Sequence, residues 1–281
     1  MTNYLHRQAP VYSLCLYRAA LGLLIVYDAL TWLFHTTELF SNQGFHIPNV
    51  WSVPHPTPAL AFGLCLLLVL SGLMVAAGLF TRVAIFCTLA IWGYFYCLDS
   101  INEKAAWTIV MIVLTALFFS DCGNRFSLDH WLRRRAKLPE APETSSIFVQ
   151  RLLQLEFMQI YFFCGISKIT NPDWVNGSIF YRLMNCRWAT DLGIWASTLD
   201  LNIPARMGGL GTILFELFVG VFLFFPSTRR WAIAVGVCFH LGIQATLSIG
   251  TLGFYFMTAL LILFPEPETI AGQMKKALGR F

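Results

Sequence analysis

Residues 59–80 read ALAFGLCLLLVLSGLMVAAGLF, a stretch with no charged side chain. A helix needs about 20 apolar residues to cross the hydrocarbon of a bilayer, so this segment is long enough to span one. Outward from it, segments of the same kind lie near residues 13–35, 83–100, 105–121, 147–169 and 207–226. The remaining apolar stretch, 231–264, is too long for one crossing and rather short for two. It contains Ser248, Ile249, Gly250, Thr251, Leu252 and Gly253, residues suited to a tight reversal, which predicts two short helices. The expected fold is all-α: a polytopic membrane helical bundle of about eight transmembrane helices, with an interfacial or re-entrant helical segment on its outer side.

Composition points the same way. The 281 residues are 57% hydrophobic and 12% charged, with a mean hydropathy of +0.64, whereas an average soluble domain is about 25% charged. The first span carries Arg18 and Asp28 and lacks a small-residue cleavage site, so it reads as a retained helix and not as a signal peptide. A net charge of +4 fits loops kept inside the cell, and nothing in its distribution points to nucleic acid. The eight cysteines are scattered singly, without zinc spacing. A Cys97–Cys186 disulfide requires that both face an oxidising compartment.

Lysine and arginine concentrate in the cytoplasmic loops of membrane proteins. With the N-terminus inside, the inner segments hold Arg7, Arg82, Arg125, Arg133, Arg134, Arg135, Lys137, Arg229, Arg230, Lys275, Lys276 and Arg280. The outer segments hold Lys104, Lys168, Arg182, Arg187 and Arg206. The skew predicts a multi-pass protein of the cell membrane with both termini cytoplasmic. It also favours splitting 231–264, since a single crossing would put Arg229–Arg230 and Lys275–Lys276 on opposite sides.

Residues 1–281 read as one transmembrane domain with two distinctive loops. The inner loop 121–146 holds Arg133, Arg134 and Arg135 and a Pro/Glu-rich stretch, a solvated cytoplasmic linker with anionic lipid contact as a minor addition. The outer segment 171–200 carries Ile179, Phe180, Leu183, Met184, Trp188, Leu192 and Trp195 at helical spacing, which predicts lid helices in the interface or folded into the bundle. The loop Glu38–Pro58, with Trp51, Pro54 and Pro56, is a further part of this lid.

Ionisable residues in apolar helices are costly and face the bundle interior. Arg18, Asp28, Arg151, Glu156 and Glu216 are of this kind. Asp28 and Glu216 read as mid-helix partners for an arginine, and Arg151 as a snorkelling side chain. Cys65, Cys87, Trp92, Tyr94 and Trp107 read as packing and interfacial positions.

The run Tyr161-Phe162-Phe163-Cys164-Gly165-Ile166-Ser167-Lys168, followed by Asn171-Pro172-Asp173-Trp174-Val175-Asn176-Gly177, puts an amine at the outer end of an apolar helix. Two readings stand: a snorkelling anchor or a reactive base. Tyr161, Gly165 and Lys168 share a helix face, and Gly165 permits close approach of a backbone or a ligand. His240, Gln244 and Ser248 recur at i, i+4 and i+8 as a polar stripe running toward the same outer half. An amine withdrawn from water becomes competent to remove a proton, with His240 or Gln244 placed to hydrogen-bond a substrate oxygen. No carboxylate pair, Ser-His-Asp order, metal box or glycine-rich phosphate loop is visible, which ranks hydrolases and nucleotide enzymes low.

The run from Tyr161 through Lys168 to Gly177 resembles the catalytic-lysine segment of vitamin K-dependent gamma-carboxylase and its bacterial horizontally transferred transmembrane (HTTM) relatives. Phe239-His240, Gln244, Leu247-Ser248-Ile249-Gly250, Phe254 and Met257 resemble a second signature of that family, and Arg18 suits its first span. Ser167 stands where the carboxylase has a second lysine, and one extra residue separates Lys168 from Trp174. The resemblance covers the whole chain as one HTTM-type domain. It implies a helical bundle with an extracytoplasmic-facing site, in which Lys168 is the base and His240 acts beside it. Tyr161, Gly165, Trp174, Gln244 and Ser248 would then belong to the binding site for reduced vitamin K or another quinone. Small proteins of this length also resemble the sporulation-delaying protein B group, membrane factors required to mature a secreted peptide toxin, so an exported peptide is a second implied partner beside the lipid bilayer.

Three functional classes remain. A membrane enzyme would use Lys168 as a base on a quinone-like cofactor or an exported peptide. A non-catalytic maturation or export partner would need Lys168 only as an anchor. A transporter is the least supported, because the intramembrane charges form no relay across the bilayer.

Overall fold

A computed structural model describes residues 7–47, 49–50, 53–99, 105–199 and 202–278; Trp51, Lys104, Asp200 and Arg280 lie outside them. In chain order the elements are β1 (Gln8–Pro10), α1 (Tyr12–Leu33), α2 (Thr36–Phe40), α3 (Pro58–Ala77), α4 (Thr81–Leu98), α5 (Ala105–Phe118), α6 (Leu128–Arg135) and β2 (Thr144–Ser146). They continue with α7 (Phe148–Ile169), α8 (Pro172–Asn176), α9 (Ser178–Met184), α10 (Asp191–Ser197), α11 (Asn202–Phe224) and α12 (Pro226–Thr246). The last are α13 (Leu252–Thr258), its π-helical extension (Ala259–Leu263), and α14 (Pro267–Leu278).

The fold is all-α apart from the short antiparallel pairing of β1 with β2. A helix occupies each apolar segment read from the sequence. The reversal in 231–264 is present, since α12 ends at Thr246, α13 begins at Leu252 and Gly250 between them takes φ 73°. Among the described residues, α1, α3, α4 and the Ala205–Phe224 part of α11 are long and apolar enough to cross a membrane. Ala106–Phe118 and Leu252–Leu263 are shorter apolar helices. All eight cysteines are free thiols.

The chain divides into two compact units, one running to Arg151 and resuming at Glu266, the other covering Leu152–Pro265. In the first, local chemistry sets the ends of α3. Thr57 accepts from the Leu60 N–H, Pro58 opens the first turn, and Gly78 closes the last one at φ 68°. Gly22 of α1 lies directly against the Ala76 backbone, and Gly72 of α3 against Val26, so small residues let the two helices pack closely. The core is aromatic: the Trp32 ring lies 5.1 Å from that of Trp92 and 5.0 Å from that of Trp107, while Phe40 stacks on Phe95 at 4.0 Å. Trp92 and Trp107 are thus packing residues.

Arg18 is fully buried and donates to four carbonyls. Its Nε reaches Cys122 at 3.0 Å, while its terminal nitrogens reach Val75, Ala76 (2.9 Å) and Phe126 (2.6 Å). It ties α1 to the end of α3 and to the loop before α6. The sequence reading of Arg151 needs correcting: it is buried, and it pairs with Glu266 at 3.4 Å instead of snorkelling. Glu266 is also held by Arg7 at 3.0 Å, so an internal partner replaces the headgroups. The loop from Glu38 is fastened near the end of α4, with the Asn49 amide donating to Tyr96 and the Tyr94 hydroxyl to Pro54.

Glu143 clasps three segments of this unit, accepting from Tyr12 Oη (3.1 Å) and Lys275 Nζ (3.2 Å) and facing Arg125 at 3.6 Å. The hydrogen bond from Lys275, followed by that from Tyr12, holds its carboxyl below the ordinary value of 4.5. A depressed folded value means that the clasp's stabilisation is present above about pH 4.5 and is lost as pH falls through the folded value. Amide exchange at Val11, whose N–H donates to the Glu143 carbonyl, should therefore rise on acidification after correction for intrinsic rates. Lys275→Gln should move the onset of that rise to higher pH.

Candidate functional site

The second unit builds a cavity around Lys168, which lies in the last turn of α7 where a cation suits the helix dipole. Its amine turns toward α11, 2.9 and 2.7 Å from the two carboxylate oxygens of Glu216. The pair is largely withdrawn from solvent, with side-chain exposures of 17% and 9%. The amine also sits 4.9 Å from the centre of the Trp174 ring, a cation–π contact that adds to its fixation. The sequence reading pairs Glu216 with an arginine; the structure pairs it with Lys168, because α7 and α11 pack closely here. Gly165 makes that approach possible, since a Cβ at this position would run into Leu217.

Two turns before Lys168 on the same helix, the Tyr161 hydroxyl lies 2.6 Å from His240 Nε2 of α12. Both side chains are buried. The histidine ring stacks on Phe256 at 4.9 Å, and Tyr161 meets the edge of Phe215 at 5.8 Å. A cavity of about 590 Å³ is lined by Tyr161, Cys164, Lys168, Trp174, Glu216 and His240, with Phe180, Phe239, Ile243 and Phe256 among its apolar walls. Polar groups from α7, α11 and α12 thus share one aromatic chamber.

The structure brings Lys168, His240, Tyr161 and Trp174 together. The other three site residues read from the sequence lie elsewhere. Gly165 faces the helix contact with Leu217. Gln244 donates its amide to the Gly250 carbonyl at 3.0 Å, bracing the reversal after α12. Ser248 falls beyond the end of α12 and is exposed, so the helical stripe stops at Gln244. Ser248 leaves the helix because its N–H donates to the Trp188 carbonyl (2.6 Å), beside an extended pairing of Ala189 with Leu247.

The short helices α8, α9 and α10 occupy the segment read as a lid. Asn171 caps α8 by accepting from the Asp173 N–H, and Pro172 opens it. Asp173 accepts from the Ser178 hydroxyl at 2.9 Å and pairs with Arg182 at 2.6 Å, joining α8 to α9. Gly177, at φ 84°, leaves no room for a Cβ against the backbone at Ala205 and Arg206. On the facing side Gly209 of α11 meets the Trp174 carbonyl and Gly208 the Phe180 ring. At the other end Thr190 and Ser248 exchange main-chain contacts with Thr246 and Trp188.

The sequence pattern of the HTTM domain family matches residues 6–268. The chain belongs to the HTTM domain family. With four helices of membrane-crossing length and hydropathy among the described residues, this HTTM chain is an integral membrane protein. No curated protein and no solved structure matches it. The features of the cavity that sequence reasoning leaves out are the Lys168–Glu216 bond, the cavity-lining Cys164 and Cys238, and the glycine seat of the lid. The signals are present: Glu216 is the one charged residue of 207–226, and Gly208-Gly209 stands at the start of the same segment.

Proposed function

We propose that this HTTM protein is a membrane enzyme in which Lys168, working with Glu216, is the base acting on a substrate held in the aromatic cavity. The observation that carries the reading is the withdrawn Lys168–Glu216 pair on the wall of a chamber of about 590 Å³. A proton shared between Nζ and the carboxylate leaves a free amine whenever it rests on Glu216, and that amine can accept a proton from the substrate. The Tyr161–His240 pair supplies a donor for a substrate oxygen, and the aromatic walls exclude water.

The chamber fits a quinone-like ring: its volume is in the range of small-molecule sites, roughly 300–1,000 Å³, and its walls are mostly apolar with a few convergent polar groups. Trp174, Phe180 and Phe256 would hold such a ring, and Lys168 and Tyr161 would meet its oxygens. A reduced quinone, when bound, supplies an acidic hydroxyl. The proposed topology is eight crossings with both termini cytoplasmic, supported by eight helical segments and by the alternation of basic residues. The lid would then face outward.

A second reading, a maturation partner for an exported peptide, is favoured by the lid surface, where Trp188, Leu192, Ile194 and Trp195 are exposed. The two differ in what Lys168 must do. Function in cells should fall about 10²–10⁴-fold in both Lys168→Ala and Lys168→Arg if the amine is a base; retention in Lys168→Arg sinks the enzyme reading, because arginine keeps the charge and gives up no proton. In parallel, pH-dependent amine labelling of the five lysines in membranes should show Lys168 protected by a reduced quinone, with Lys275 and Lys276 unaffected.

A further inference from the structure

The connection between α3 and α4 is Gly78-Leu79-Phe80, and both helices have membrane-crossing length and hydropathy. This tight hairpin therefore marks one surface of the bilayer. Helix α6 is pinned to it. The Asp129 N–H donates to the Gly78 carbonyl at 3.0 Å, and the Asp129 carboxylate accepts from the N–H groups of Phe80 (2.7 Å) and Thr81 (2.9 Å) and from the Thr81 hydroxyl (2.8 Å). A basic helix ending in Arg133, Arg134 and Arg135 is thus held at headgroup depth.

Between α6, the start of α4 and the Pro139–Pro142 stretch runs a groove of about 840 Å³, lined by Arg82 and Arg133. Three acids line it: Asp129 caps α4, Glu140 faces Arg125 at 3.8 Å and Arg134 at 3.5 Å, and Asp121 offsets one of the groove's positive charges. Arg82 and Arg133 form no ion pair among the described residues. His130 lines the groove too, but burial, followed by the nearby Arg125 charge, lowers its pKa and leaves it neutral at pH 7. The rim is apolar, with Phe80, Val83, Leu132 and Leu138 exposed by 63%, 60%, 44% and 55%. Phe80 holds this position in the left-handed backbone region, at φ 45°, which a bulky side chain rarely adopts. Strain that keeps a phenyl ring outward gains nothing in water and makes sense against acyl chains.

We propose that this groove binds an anionic glycerophospholipid of the adjoining leaflet, with its phosphate met by Arg82 and Arg133 and its chains over Phe80 and Leu138. Bidentate guanidinium groups suit a phosphodiester, and the excess of Arg82 and Arg133 over the one remaining carboxylate, Asp121, selects an anionic headgroup over a zwitterionic one.

The test uses the full-length protein in micelles, titrated with dioleoyl phosphatidylglycerol or dioleoyl phosphatidylcholine and read by native mass spectrometry. The expected result is at least tenfold tighter uptake of phosphatidylglycerol. The double variant R82Q/R133Q should weaken it about fivefold per charge removed, and R230Q, at an exposed arginine of α12, should leave it unchanged. Phe80→Gly, which relieves the backbone and removes the ring, should weaken the lipid but not water-soluble glycerophosphate. Equal affinity for the two lipids, unchanged binding in R82Q/R133Q, or glycerophosphate held as tightly as the lipid would each overturn the proposal.

Discussion

Glu216→Ala is expected to destabilise the protein by about 3–5 kcal/mol, the cost of stranding one member of a buried ion pair. The Lys168 ammonium would keep only the Trp174 ring beside it, and that ring replaces a small part of the attraction from two carboxylate oxygens at 2.9 and 2.7 Å. The double variant Lys168→Met/Glu216→Leu should recover most of the loss, because apolar side chains of similar volume carry no desolvation cost. Unfolding in micelles of the two single variants and the double gives the coupling directly. Wild-type melting of Glu216→Ala would mean that water reaches Lys168 freely and that the pair is a surface one. A stable but inactive double variant would show that the charges are kept for chemistry and not for stability.

Arg18→Met is expected to cost more than about 4 kcal/mol and to leave little folded protein, given stabilities of about 5–15 kcal/mol. Four carbonyls, those of Val75, Ala76, Cys122 and Phe126, accept from this one guanidinium. The Val75 carbonyl would keep the Gly78 N–H, while those of Ala76, Cys122 and Phe126 would lose this donor in a site largely closed to water. Gly78 shows how tightly the group is enclosed, since a Cβ there would meet the guanidinium carbon at 2.9 Å. Arg18→Lys should rescue less than half of the loss, because three donors on a single nitrogen cannot span four acceptors around a planar fork. The yield of monodisperse protein and its melting temperature decide this. Normal accumulation of Arg18→Met would show that the carbonyls find other donors.

The helix positions were legible because apolar length is a strong one-dimensional signal, and the reversal near Gly250 could be read from a cluster of small and polar residues. The site was half legible. Tyr161, Lys168, Trp174 and His240 do share a cavity, and each stands out as a polar or amphipathic residue in apolar surroundings. The partner of Glu216 was not legible, because a lone acid on an apolar helix calls for a cation without saying which helix packs against it. Arg151 illustrates the same limit: its partner, Glu266, lies 115 residues away in sequence. Ser248 shows a local pattern yielding to tertiary structure, since spacing continues the stripe while the main chain is drawn off to pair near Trp188.

Apart from the Trp174 and Phe180 rings, the lid is fastened mainly through main-chain atoms: Gly177 and Gly209 seat α8 against α11, and residues 188–190 pair with 246–248. Fastenings of this kind are indifferent to most side chains. The exposed Trp188, Leu192 and Trp195 can therefore be exchanged, changing what the lid surface meets while the chamber beneath keeps its shape. The molecule thus separates an exchangeable face from a fixed cavity, the arrangement by which one scaffold can be retargeted without rebuilding what lies beneath.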